Sequence, residues 1–273
     1  MNNSPESDAS PPGETPSEQA ASFIHQSASS GYQREANTYA KARPSYHPAL
    51  VQRFVERFAG AAGDQAAAVE IGAGTGIFTA QLVNAGCTPT AIEPVAAMQA
   101  ELTAALPDVR VMAGTASGTG LLTDAATTVV ASQSFHWFDH RLALDEIARI
   151  LRPAGHLVTV WNVRDETVPW VGAYTEIMDR HAGTTPRYRT MEWRHAIDSD
   201  ERFVPVDEWS VANPRPTTPE GVVDRGLSTS FIAALSPAKQ AQVRTDLLAA
   251  VSALGENFDY PYRSELQAWQ LRE

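Results

Sequence analysis

Between residues 66 and 161 the pattern of apolar and polar positions switches repeatedly between two periods. Short apolar runs at 66–71, 88–93, 109–112, 127–132 and 156–161 have the length and β-branched content of buried strands. The stretches between them repeat every three to four residues. Phe78, Leu82 and Val83 give 76–85 an inward face, and a second helix is expected over 95–105. The stretch 139–151 carries Leu142, Leu144, Ile147, Ile150 and Leu151, with Asp139 placed to cap its start and Pro153 and Gly155 to end it. A further helix over 50–58, with Leu50, Val51, Phe54, Val55 and Phe58 apolar, comes before the first strand. Repeated strand–helix units imply an α/β fold with a doubly wound, mostly parallel sheet, in which ligands bind beyond the carboxyl ends of the strands.

Past residue 162 the pattern is less regular. It predicts a helix over 167–181, a basic polar segment over 182–198, a strand over 203–211, a helix over 236–255 and a last strand over 264–271. The expected organisation is a core over 31–162 that includes an N-terminal helical lid. A cap over 163–235, with an edge strand, covers the site, and 236–273 returns to complete the core. Residues 1–30 are rich in Ser, Pro and Ala, with acidic Glu6, Asp8, Glu14 and Glu18 and no Lys or Arg, so a disordered acidic tail is expected.

Composition narrows the partners. Lys and Arg number 21 against 32 Asp and Glu, a net charge of −11 that disfavours nucleic acid and anionic membranes. The one cysteine, Cys87, allows no internal disulfide and supplies no zinc-ligand set, so no metal is expected. No apolar run approaches the ~20 residues that span a bilayer, and the N-terminus lacks the features of a secretory signal. The expectation is a cytoplasmic monomer or homodimer acting on a small molecule.

The first strand ends in Glu70-Ile71-Gly72-Ala73-Gly74-Thr75-Gly76, followed by a helix. Glycines at alternate positions permit a tight turn and a close ligand approach, and the helix start offers unpaired N–H groups. A dinucleotide fingerprint needs its third glycine where Ile77 stands. The Glu70 carboxylate suits a ligand bearing an amine better than one bearing a pyrophosphate. The Glu-x-Gly-x-Gly-x-Gly pattern resembles the first motif of the class I S-adenosylmethionine-dependent methyltransferases.

A second feature, Gln133-Ser134-Phe135-His136-Trp137-Phe138-Asp139, begins where the fourth strand ends. With Tyr39-Ala40-Lys41-Ala42-Arg43-Pro44-Ser45-Tyr46, Leu151-Arg152-Pro153-Ala154-Gly155, Trp161-Asn162 and, more faintly, Ser228-Thr229-Ser230, it resembles the trans-aconitate methyltransferase-like small-molecule methyltransferases over about residues 32–273. The resemblance implies a seven-stranded Rossmann-like methyltransferase sheet with a helical or irregular cap. It implies that S-adenosyl-L-methionine is held by Gly72, Gly74, Gly76, Glu93 and Gln133, with Tyr39 and Arg43 closing over its methionine end. Glu70, Ala73 and Pro94 belong to the same strand ends, Met98 is placed to pack on adenine, and Thr115 and Ala116 stand where many relatives carry an adenine-binding Asp.

His136 reads as a general base or a substrate-orienting group, with Trp137 beside it. Trp161, Asn162, Trp170, Arg187 and Trp193 are candidate substrate contacts, Arg187 as part of a basic cluster from Arg180 to His195 suited to an anion. The expected reaction is methyl transfer to oxygen, such as a carboxylate. Carbon or nitrogen methylation of an aromatic metabolite and cofactor binding without catalysis are the alternatives. An amino-group DNA methyltransferase is disfavoured, because Ser132-Gln133-Ser134-Phe135 replaces its Pro-Pro motif.

Overall fold

The computed structural model describes residues 44–59 and 68–273. The expectations for 1–30, for Tyr39 and Arg43 and for the first two residues of the strand at 66 lie outside the described residues.

Helix α1 (Pro48–Phe58) starts where His47 Nδ1 accepts the Ala49 N–H at 3.2 Å and proline fills the first turn. It is followed by β1 (Ala68–Ile71), α2 (Ile77–Asn84), β2 (Thr90–Ile92), α3 (Ala96–Ala105), β3 (Val111–Met112) and β4 (Ala126–Ser132). A turn of 3₁₀-helix (Phe135–Trp137) leads into α4 (His140–Ile150), capped by Asp139 through the Leu142 N–H, and then into β5 (Leu151–Arg164). These five strands are parallel. Two antiparallel strands, β6 (Phe203–Ala212) and β9 (Tyr262–Leu271), complete a seven-stranded sheet of order β3-β2-β1-β4-β5-β9-β6. The direction of strand succession reverses between β1 and β4, which opens a crevice above their carboxyl ends.

Successive strand residues serve opposite faces. Val129 joins Ile147, Ile150, Trp161 and Trp269 on one side, whereas Val130 joins Phe54, Phe78, Leu82 and Val158 on the other. Burial of both faces explains the continuous apolar runs. The outer edge strand β6 carries Pro205 beside a register shift to Asp207, features that discourage edge-to-edge pairing.

A separate apolar cluster forms the cap. It unites α5 (Pro169–Ala182), α7 (Pro219–Leu227), α8 (Ser230–Ala233) and α9 (Pro237–Val251) with a small sheet of β7 (Arg215–Thr217) and β8 (Phe258–Tyr260). The helix expected over 236–255 is α9, and its Val243, Leu247 and Val251 pack in this cluster rather than on the main sheet. Of the C-terminal segment, β9 joins that sheet. The basic segment 182–198 contains an unanticipated helix, α6 (Glu192–Asp198), because its two buried apolar residues, Trp193 and Ile197, sit four apart among charges.

Candidate active site

The turn after β1 is held from both sides. Gly72, Gly74 and Gly76 have φ of 70°, 60° and 83°, where a Cβ is strained. The N–H groups of Gly72 and Ala73 donate to the Ile92 carbonyl, tying the turn to β2. A Cβ on Gly72 would lie 2.8 Å from Ser134 Cβ, and one on Gly76 would lie 2.9 Å from Leu102 Cγ. Gly76 therefore packs behind the turn, while Gly72, Ala73 and Gly74 line a cavity of about 170 Å³.

Glu93, at the end of β2, is on the same wall. Its Oε2 accepts the Gly74 N–H at 2.8 Å and its Oε1 accepts the Val95 N–H at 2.9 Å. Burial pushes its carboxyl group above the ordinary carboxylate range, and the two N–H donors oppose that shift. Pro94, Met98, Thr115 and Ala116 continue the wall under β2 and β3, and Gln133, Trp137 and Asn162 continue it past β4 and β5.

Glu70 departs from the expectation. It is fully buried and off the cavity wall, its oxygens accepting from Thr79 Oγ1 at 2.6 Å and from Ser132 Oγ. Both donors belong to the protein, and the carboxylate does not reach the cavity, so a ligand amine does not meet it there. Ser132 itself is on the wall, so Glu70 positions the site through Ser132. Burial pushes the Glu70 carboxyl up to about 7, with the nearby Glu93 adding to the shift and the two hydroxyl donors countering it.

Gln133 occupies left-handed backbone space at φ 54° and donates from Nε2 to the Asn162 carbonyl at 2.8 Å. The Asn162 side chain is engaged in a network. Its Nδ2 donates to the Pro44 carbonyl at 2.9 Å, and its Oδ1 accepts from Ser264 Oγ at 2.6 Å and Asn213 Nδ2 at 3.1 Å. Ser264 Oγ accepts the His47 N–H at 3.0 Å, and Arg215 donates to the Ser45 carbonyl at 2.7 Å. Asn162, Asn213, Ser264 and Arg215 thus clamp the 44–47 segment over the carboxyl end of β5 and the start of β9, where Pro44 and Tyr46 line the cavity. His136 is placed behind this wall, its ring 4.9 Å from Trp137 and 5.5 Å from Trp161.

Comparison with known proteins gives the chemistry. Residues 69–159 match the family described as a methyltransferase domain. An uncharacterized methyltransferase of Mycobacterium tuberculosis is 34% identical over 216 residues, covering 79% of this chain and 82% of the relative. An uncharacterized methyltransferase-like protein of Schizosaccharomyces pombe is 31% identical over 163 residues, covering 59% and 63%. The chain belongs to the S-adenosylmethionine-dependent methyltransferases. Its fold is shared with the YcgJ protein of Bacillus subtilis, with a TM-score of 0.55 at 17% identity over 83% of this chain and 98% of that one. It is also shared with a protein provisionally assigned as a type II methyltransferase from Anaeromyxobacter dehalogenans, with a TM-score of 0.61 at 19% identity over 85% and 99%.

In this methyltransferase the aromatic substrate candidates are used for packing. Trp161 and Trp193 are fully buried in the core with centroids 4.7 Å apart, and Trp170 stacks edgewise on Tyr260 and Phe258 in the cap. Arg187 is also off the cavity wall. The basic segment is neutralised by acids from other elements: Arg187 and Arg189 by Asp179, Arg194 by Glu208 at 2.8 Å, and Arg180 by Asp246 at 3.9 Å. Among the wall residues not anticipated are Arg225 from α7 and Tyr262 from β9. Both come from the irregular part of the chain, where no local pattern points to the crevice. Among the described residues no helix is long and apolar enough to cross a membrane.

Proposed function

We propose that this methyltransferase transfers a methyl group to an oxygen of a small-molecule acid, with a carboxylate as the first choice of acceptor. The observation that carries this reading is the composition of the cavity wall. Among the described residues no histidine lines it, so an acceptor that is already ionised fits best. The alternative of an aromatic carbon or nitrogen acceptor rested on Trp161, Trp170 and Trp193, which are engaged in packing.

The residues present suit the cofactor. Positive-φ glycines leave room for a ligand against the backbone, and the Glu93 carboxylate keeps acceptor capacity beyond its two N–H bonds, as a pair of ribose hydroxyls requires. Met98, Thr115 and Ala116 surround the place of the adenine, and Gly72, Ala73 and Gln133 that of the amino-acid portion. The methionine carboxylate falls to Tyr39 and Arg43 by family resemblance. Bound S-adenosylmethionine supplies a methyl group on a sulfonium sulfur, which keeps the bonding electron pair as the acceptor oxygen forms its new bond.

The protein's task is alignment and exclusion of water. Trp137 and Tyr46 wall the reacting region, and the Asn162–Asn213–Ser264 network fixes the 44–47 segment above it. A carboxylate acceptor yields a neutral ester and releases no proton, so His136 is assigned to hold Trp137 in place.

The test begins with calorimetric titration by S-adenosylhomocysteine, with NADH as control. Transfer of labelled methyl to a panel of carboxylic acids follows. Ester products release their label as methanol in mild base; base-stable label would overturn the carboxylate assignment. Tight cofactor binding with no transfer to any acceptor class would favour a non-catalytic binding protein.

A further inference from the structure

Two arginines without an acid partner among the described residues lie away from the glycine turn. Arg225 on α7 and Arg164 at the end of β5 both face Tyr174, Tyr260 and Tyr262, and Arg164 feels the charge of Arg225. The Arg164 guanidinium lies 4.9 Å from the centre of the Tyr174 ring, and the Tyr260 and Tyr262 rings are 4.6 Å apart. Neither arginine is paired with a carboxylate among the described residues, whereas those of the 180–194 segment are paired.

Five polar atoms here are shut off from solvent with no hydrogen-bond partner among the described residues. They are Nε and Nη1 of Arg225 and the hydroxyls of Tyr174, Tyr260 and Tyr262. Native proteins hold only a few such atoms per hundred residues, and five in one place signal a missing acceptor. Guanidinium nitrogens shut off from water without an acceptor, as Nε and Nη1 of Arg225 are, are unfavourable, and the positive charge of Arg164 nearby adds to the cost. An anion satisfies both, because the guanidinium fork matches the oxygens of a carboxylate or phosphate and phenol hydroxyls can donate to the same oxygens.

Arg225 and Tyr262 line the cavity. The wall at Glu93 and Thr115 follows β2 and β3, while Tyr262 begins β9; in the sheet these strands lie on opposite sides of β1 and β4. The arginine end is therefore the end remote from Glu93.

We propose that Arg225, supported by Arg164 and Tyr262, is the subsite that binds an anionic group of the methyl acceptor, a carboxylate or a phosphate. This rests on the small-molecule reading above and adds what the substrate must carry: a negative charge that fixes its orientation in the cavity.

The test is calorimetric titration of the wild-type protein with succinate, inorganic phosphate and neutral succinamide, with and without bound S-adenosylhomocysteine. Binding of succinate or phosphate but not of succinamide is expected; which of the two binds identifies the group. Arg225→Met should weaken the anion at least tenfold and leave the S-adenosylhomocysteine affinity within twofold, which also shows that the variant folds. Arg225→Lys, which keeps the charge, should retain part of the anion affinity. Equal binding of succinamide, or no binding of either anion, would overturn the proposal. So would loss of S-adenosylhomocysteine affinity in a folded Arg225→Met, which would place Arg225 on the cofactor instead. Failure of the wild type to bind S-adenosylhomocysteine would count against the cofactor reading alone, because the titration of the unloaded protein stands by itself.

Discussion

Two buried carboxylates at the ends of neighbouring strands have different tasks. Glu93 faces the cavity and Glu70 faces the protein. Glu93→Ala removes an acceptor from the ribose position and frees the Gly74 and Val95 N–H groups; cofactor affinity should fall by about 10- to 100-fold, the worth of one charge-assisted hydrogen bond of about 1.5–3 kcal/mol. Calorimetry checks this, and an unchanged affinity would remove Glu93 from the site. Glu70 has a folded-state carboxyl pushed up to about 7. Between its ordinary value and that one, the native state holds a proton that the unfolded chain has lost, so stability should decline as pH rises through this window. The total is about 3 kcal/mol at most. Glu70→Gln keeps the shape and has no proton to lose, so thermal melts from pH 5 to 8 should show a flatter profile than the wild type. The residue pattern announced both acids and the glycines, since strand ends and turns are local. It gave no means of telling an acid that faces a ligand from one that faces Thr79 and Ser132, which depends on side-chain direction across two strands.

At the scale of elements, the parallel strands and α2, α3 and α4 were legible because each repeats its apolar period over two turns or more. Helices α6 and α8 are too short for that, and in α6 and α7 charged residues interrupt the apolar ones. The cap depends on one tight contact between such elements. Gly226 on α7 faces Leu247 on α9 so closely that a Cβ would lie 2.5 Å from Leu247 Cδ1. Gly226→Val should push the two helices apart and shift the neighbouring Arg225, weakening anion binding more than cofactor binding. Leu247→Ala leaves a cavity in the same contact and should cost about 2–5 kcal/mol, read from denaturant unfolding.

Across the whole molecule, charge is balanced by tertiary contact rather than by sequence neighbourhood. The Arg180–His195 run looked like an anion site and is satisfied by Asp179, Glu208 and Asp246, while two arginines 61 residues apart by their numbering, Arg164 and Arg225, meet at the cap without an acid partner among the described residues. The same logic joins α1 to the far edge of the sheet. Arg53 grips Asp207 through two hydrogen bonds of 3.0 and 2.7 Å, with Arg57 at 3.5 Å. Asp207→Ala would strand both arginines and should lower stability by about 1–3 kcal/mol at neutral pH, measurable as a lower melting temperature.

The position of β9 has a consequence for how the chain acquires its shape. This strand, made some fifty residues after β6, is the wedge between β5 and β6. Until residues 262–271 have emerged from the ribosome, β6 has no place in the sheet and β5 presents an open edge from His156 to Arg164. The nascent methyltransferase must therefore wait with its parallel half formed and one flank unsealed. A chaperone or a stray strand would find that flank during synthesis, and the finished enzyme hides it completely.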